Sequence, residues 1–149
     1  MYKTNFEEII NFAIEREKEA VEFYQNLQTK VRFKNQKNML KDLEKMEEGH
    51  IKILKNLRQK KLKDLKLKKV LDLKISNYLV EKEPTEDMDF QDILIVAMKR
   101  EEASTNLYKD LSTKVDAETK KLFLKLAQEE AGHKLQFETL YDEHVLREN

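Results

Sequence analysis

Residues 43–50 read Leu43-Glu44-Lys45-Met46-Glu47-Glu48-Gly49-His50, and residues 126–133 read Leu126-Ala127-Gln128-Glu129-Glu130-Ala131-Gly132-His133. Leu, Glu, Gly and His recur at the same places, and each stretch carries Glu-x-x-His. At 100° per residue an i, i+3 pair projects from one helix face, one turn apart. The stretches lie 83 residues apart, and a second pair of segments, 13–31 and 97–115, aligns at an offset of 84. That pair shares Arg16/Arg100, Glu17/Glu101, Tyr24/Tyr108, Leu27/Leu111 and Thr29-Lys30-Val31 against Thr113-Lys114-Val115. The chain is therefore a repeat, residues 4–60 and 89–146, and each copy reads as one helical hairpin.

Four periodic stripes fill the hairpins. Helix A shows Phe6, Ile10, Ala13, Glu17, Ala20, Tyr24 and Leu27, opening on a Thr4/Glu7 capping box. Helix B shows Leu40, Leu43, Glu47, His50, Leu54 and Leu57. Helix C starts at an Asp89 cap and shows Phe90, Leu94, Ala97, Glu101, Ser104, Tyr108 and Leu111. Helix D starts at an Asp116 cap and shows Phe123, Leu126, Glu130, His133, Phe137 and Leu140. Steps of three and four alternate throughout, which is the seam of a four-helix bundle. Short A–B and C–D turns make antiparallel neighbours. The connection over 61–88 is long for a loop and reads as a crossover, with Leu62, Leu65, Leu67, Leu71, Leu73, Ile75 and Leu79 packing along it. The lysines at 60, 61, 63, 66, 68, 69 and 74 read as a solvated face.

Composition agrees with an all-α fold. The 149 residues suit a single domain, 1–149, and 2 Gly with 1 Pro leave little for hairpins or phosphate loops. With no cysteine, disulfides, thiolate metal sites and thiol nucleophiles are excluded. The 29 basic and 29 acidic side chains cancel, which argues against nucleic acid or an anionic membrane as partner. Glutamates through residues 7–19 exclude a secretory leader, and no apolar run could span a bilayer, so a cytoplasmic location is expected.

The residues that interrupt the seam carry the chemistry. Glu17, Glu47, His50, Glu101, Glu130 and His133 lie on it, and no Lys or Arg does. Four carboxylates in a bundle core are costly to keep ionised without compensation. Two divalent cations would cancel them. One Glu from each of two helices and Glu-x-x-His from each of the other two is the ligand set of di-iron and di-manganese carboxylate bundles. Oxygen-rich ligation with two imidazoles favours iron first and manganese second. Metal-free protein is then expected to be less stable near neutral pH. Tyr24 and Tyr108, on the same seam, read equally well as core filling or as hydroxyl donors to metal-bound carboxylates. His144 reads as a surface residue. Glu48, Glu102 and Glu129 are expected to face solvent or adjacent helices. Gly49 and Gly132 each precede a ligand His inside a helix, where Gly costs roughly 1 kcal/mol relative to Ala. Gly49 points about 130° from the ligand midpoint. Close helix or crossover packing behind the ligands, or an accident of duplication, accounts for the pair.

The segments Ala13-Ile14-x-x-Glu17-x-x-Ala20-x-x-Phe23-Tyr24 and Ala97-Met98-x-x-Glu101-x-x-Ser104-x-x-x-Tyr108 resemble the rubrerythrin branch of the ferritin-like superfamily. So do Asp89-Phe90-Gln91-Asp92 and the two Glu-x-x-His helices. The resemblance implies a ferritin-like four-helix bundle, Glu47 and Glu130 bridging two metals, and Glu17, His50, Glu101 and His133 as terminal ligands. It also implies a non-haem di-iron centre that reduces hydrogen peroxide in oxidative-stress defence. Rubrerythrins proper add a rubredoxin domain with four iron-binding cysteines. This chain has none, so an electron-donor protein is expected to act in trans. They also carry a second metal-binding Glu one turn along helix C, where this chain has Ser104. The simpler six-ligand set is shared with ferroxidases, so iron binding or storage, with oxygen as oxidant, is the alternative. A metal-free interaction bundle is the third. A homodimer is expected, since an apolar crossover must cover something.

Overall fold

The computed structural model describes residues 5–62, 73–80 and 89–148. Four α-helices form: α1 (Phe6–Gln28), α2 (Lys34–Leu62), α3 (Phe90–Ser112) and α4 (Ala117–Glu148), with a 3-10 turn at Ile75–Tyr78 and no strand among the described residues. The chain divides into two compact units, Met1–Ile75 and Ser76–Asn149, so each sequence repeat builds its own hairpin.

The two hairpins share their end chemistry. Asn5 caps α1 by accepting from the Glu8 N–H at 2.8 Å, and Asp89 caps α3 by accepting from Asp92 N–H at 2.8 Å. At the other end the Thr29 and Thr113 hydroxyls donate back to the Asn26 and Asp110 carbonyls, at 2.6 and 2.7 Å. Thr therefore closes both helices where a glycine often stands, which is how a chain with 2 Gly makes its turns. The α1 cap corrects the Thr4/Glu7 box by one residue: Asn5 holds the orphan N–H, and Thr4 lies outside the described residues. Asp116 caps α4 as its sequence suggests, accepting from Thr119 N–H at 2.8 Å.

Both hairpins are antiparallel. In the first, Gln25 and Gln28 near the end of α1 donate to Glu44 early in α2, at 3.2 and 2.8 Å, while Arg58 late in α2 donates to Asn11 early in α1 at 2.7 Å. Burial works to raise the Glu44 carboxyl, but the amide hydrogen bonds of Gln28 and Gln25 override it and hold it below its ordinary value. In the second, Gln91 at the start of α3 donates to Tyr141 of α4 at 3.1 Å, and Tyr108 near its end stacks on Phe123, centroids 6.1 Å apart. The ligand-bearing turns lie midway between these tethers.

The apolar stripes are buried as the periodicity requires, from Phe6 to Leu27 and from Leu40 to Leu57, although Ala20 is half-buried. Phe90 departs from the α3 seam: it is half-buried, with its ring edge-on to His144 at 5.1 Å. His144 is accordingly a half-buried ring partner rather than a plain surface residue. Of the crossover, Leu65, Leu67, Leu71 and the lysines at 63, 66, 68 and 69 lie outside the described residues, as do the side chains of Lys61 and Leu62. Leu73 and Tyr78 are buried, Ile75 is half-buried, and Leu79, expected to pack, is 53% exposed. Tyr78 takes the inward place at this turn and donates its hydroxyl to Asp110 at 2.7 Å.

Candidate metal centre

In the first hairpin Glu17 comes from the middle of α1, and Glu47 and His50 from successive turns of α2. All three are buried, at 1%, 0% and 1% exposure. Their ligand atoms lie within 4.8 Å of one another. His50 Nδ1 stands 3.2 Å from Glu17 Oε2 and 3.8 Å from Glu47 Oε1. The second hairpin repeats the arrangement. Glu101 of α3 and Glu130 and His133 of α4 are buried, with ligand atoms again within 4.8 Å of one another. His133 Nδ1 stands 3.6 Å from Glu101 Oε2. In both copies the imidazole turns the same nitrogen toward the carboxylate of the neighbouring helix.

These separations can be tested against a metal. Two adjacent ligands at bond lengths of about 2.1 Å are about 3.0 Å apart at a right angle and about 3.4 Å apart at the tetrahedral angle. Nδ1-to-oxygen separations of 3.2 and 3.6 Å are of that size, so a cation fits with small side-chain adjustment. The donor chemistry agrees: carboxylate oxygen and imidazole nitrogen, with no sulfur, suit iron or manganese. Each hairpin brings two carboxylates and one imidazole, a set that one divalent ion neutralises.

The six residues named from the sequence are thus brought together as two sets of three, one in each hairpin. Among the described residues, the potential metal-holding groups draw on these six alone. Glu48 and Glu102 are exposed and Glu129 is half-buried. Glu102 sits 3.7 Å from Lys134. Tyr24 and Tyr108 are buried on the ligand-bearing faces of α1 and α3. The glycines do not behave as expected. Among the described residues, a Cβ built on Gly49 or Gly132 meets nothing within 4 Å, so close packing by the described helices does not explain them, and crossover residues 63–72 and 81–88 lie outside the described residues. No described helix is long and apolar enough to cross a membrane.

A candidate ferritin-like diiron-carboxylate protein of Thermotoga maritima superposes with a TM-score of 0.84, at 21% identity, covering 97% of this chain and 99% of that one. A hypothetical protein of Pyrococcus furiosus superposes with a TM-score of 0.69, at 26% identity, covering 92% of this chain and 88% of that one. The fold is therefore all-α and ferritin-like, a four-helix bundle. No curated protein matches the chain. The rubrerythrin family model matches residues 1–74 and 92–149, which span all six Glu and His residues of the two clusters. With that match over most of its length, the chain belongs to the rubrerythrin family, whose ferritin-like domain is a di-iron domain.

Proposed function

We propose that the protein is a non-haem di-iron oxidoreductase that reduces hydrogen peroxide, drawing electrons from a separate donor protein. The observation that carries this reading is the doubled Glu/Glu/His set, buried and geometrically equivalent in the two hairpins of a rubrerythrin-family chain. Glu17, Glu47 and His50 would hold one ion and Glu101, Glu130 and His133 the other. Iron is preferred to manganese. When bound, two ferrous ions supply the two electrons that, with two protons, convert one hydrogen peroxide to two waters.

The protein's own share is enclosure and orientation. Leu43 and Leu54 lie one turn either side of the α2 ligands, and Leu126 and Phe137 either side of those on α4, all buried, so bulk water is excluded along both helices. Tyr24 and Tyr108, buried on the same helices as Glu17 and Glu101, fill the core beside the ligands, and their hydroxyls would be available to donate to carboxylates that hold a metal. A small oxidant suits such a site better than a bulky substrate.

Iron binding of the storage type is the second reading, favoured by Ser104 at the place where rubrerythrins carry a further ligand Glu. Anaerobic ferrous loading of the full chain, then stopped-flow oxidation by peroxide and by oxygen, separates the two. Two irons per chain oxidised much faster by peroxide support the reductase. Faster oxidation by oxygen, with iron accumulating in a large hollow shell, supports storage. Failure to take up iron, with unchanged thermal stability, sinks both and leaves the metal-free bundle.

A further inference from the structure

The outward side of α2 is a row of lysines. Lys34, Lys37, Lys41, Lys45, Lys52 and Lys55 are all exposed. At 100° per residue they fall within an arc of about 80°, on the side away from Leu43, Glu47, His50 and Leu54. Glu48 is the one acidic residue in that arc, so six lysines less one glutamate leave a charge of +5. From Lys34 to Lys55 the row runs about 32 Å. None of the six stands within 4.0 Å of a carboxylate among the described residues. Lys37, Lys41 and Lys45 are spaced four apart, where like charges weaken a helix.

The repeat shows that the fold does not demand this row. At an offset of 83 the same places of α4 hold Ala117, Lys120, Leu124, Gln128, Leu135 and Glu138. Glu47 and His50 recur at that offset as Glu130 and His133, whereas five of the six lysines do not recur. Leucine, glutamine and glutamate serve an outward helix position as well as lysine does. The two hairpins are thus alike in their ligands and unlike in their outward charge.

We propose that the lysine row docks the acidic face of a small one-electron carrier protein, the donor that re-reduces the centre; this rests on the di-iron reading above. The chain has no cysteine, and so no iron–sulfur cluster or dithiol of its own to supply electrons. The row lies across the body of α2 from Glu47 and His50, and a helix with its side chains is about 10–12 Å thick. A carrier seated on the lysines is therefore about one helix thickness from the ligands. It is oxidised by one electron at each docking, so two dockings return the two electrons that one peroxide removes. Lysines are long, mobile and strongly hydrated, which suits a fast, weak and salt-sensitive contact. The neighbouring helix α1 exposes Glu8, Glu15 and Glu22 at seven-residue steps, with Lys18 offsetting one of them, so the basic surface is one helix wide. Nucleic acid, with phosphates on every side, would bring anions against α1 as well. A compact protein with one acidic patch need not.

Titration of the full metal-free chain with an acidic plant-type [2Fe–2S] ferredoxin, followed by backbone amide NMR, tests the contact without iron. Shifts are expected along the outward side of α2 and not of α4, with affinity falling about tenfold between low and physiological salt. Lys41→Glu, Lys45→Glu and Lys52→Glu together are expected to weaken binding about tenfold or more. They are expected to slow ferredoxin-driven re-reduction of the iron-loaded, peroxide-oxidised chain by a like factor. Gln128→Glu, the α4 counterpart of the Lys45 change, is expected to alter neither. Shifts centred on α4, binding indifferent to the triple reversal, or re-reduction as fast in the reversed chain would each overturn the proposal. So would duplex DNA binding the row more tightly than ferredoxin at the same salt. Metal analysis tells two failures apart. No ferrous uptake sinks the di-iron reading and the proposal with it, whereas uptake without ferredoxin contact sinks the docking face alone. Should the triple reversal lose its helical circular dichroism, Lys41→Gln, Lys45→Gln and Lys52→Gln together decide in the same way.

Discussion

Replacing Glu47 with Gln should change stability in opposite directions with and without metal. Glu17 and Glu47 are buried, and their ligand oxygens lie within 4.8 Å of each other. Two unit negative charges at that distance repel by about 3 kcal/mol at an effective dielectric constant of about 20. Glutamine keeps the shape and removes the charge, so metal-free Glu47→Gln should be more stable than wild type by up to about 3 kcal/mol. For 149 residues at about 2.1 cal/mol/K each, 1 kcal/mol moves Tm by about 3 °C, so the rise should reach as much as about 10 °C. Ferrous iron should raise the Tm of wild type by mass action and leave that of the variant nearly unmoved. Glu48→Gln, one residue away and exposed, should do neither. Differential scanning calorimetry of the three proteins after chelation, and again after anaerobic ferrous loading, measures all six melting temperatures. A metal-free Gln variant less stable than wild type would show that protein groups, and not a cation, compensate the Glu47 carboxylate. A variant that kept the full iron-dependent shift would remove Glu47 from the ligand set.

Gly49→Ala should stabilise α2 by about 0.8–1 kcal/mol through helix propensity, because the added Cβ meets nothing within 4 Å. A thermal melt with Tm unchanged or lowered would show that this space is in use. Tyr78→Phe should cost about 1 kcal/mol by removing the 2.7 Å bond to Asp110. Burial, with the Asp110 carboxylate beside it, holds the Tyr78 phenol above its ordinary 10.0, so the bond contributes fully below about pH 10 and is lost as pH rises further. The gap between wild type and Tyr78→Phe should therefore narrow in alkali, and urea titrations showing a constant gap to pH 12 would refute the assignment. Asn5→Ala and Asp89→Ala should each cost about 1 kcal/mol, and by similar amounts, since each cap accepts one N–H at 2.8 Å. A loss at only one of the two would mean that the repeats differ in how their helices begin.

The sequence made the four helices and the six Glu and His positions legible because both are periodic. A stripe at three- and four-residue steps has one reading, and a ligand that interrupts an apolar stripe must lie inside. Position-specific contacts were less accessible. Asn5 and Thr4 are both good caps, and only the backbone turn decides between them. His144 carries no periodic signal, and it is half-buried because Phe90, displaced from the seam, supplies a ring for it. Leu79 and Tyr78 compete for one inward place, and Tyr78 takes it because its hydroxyl finds Asp110. The glycines misled for a different reason. A costly residue suggests a tight neighbour, but none of the described residues supplies one.

The duplication has an electrostatic consequence that a single helical hairpin would lack. Each hairpin contributes two carboxylates and one imidazole, which one divalent ion neutralises, so the charge balance holds hairpin by hairpin. One turn beyond the α1 and α3 glutamates stand Ala20 and Ser104, equivalent in the repeat and both half-buried. Neither adds a carboxylate, so neither half is charged differently from the other. A further glutamate at the Ser104 position would break that equality and give an ion in one half an anionic neighbour that the other lacks. Retaining small residues at both places favours two alike half-sites. A chain built this way does not rely on an asymmetry of its own ligands to tell one half-site from the other.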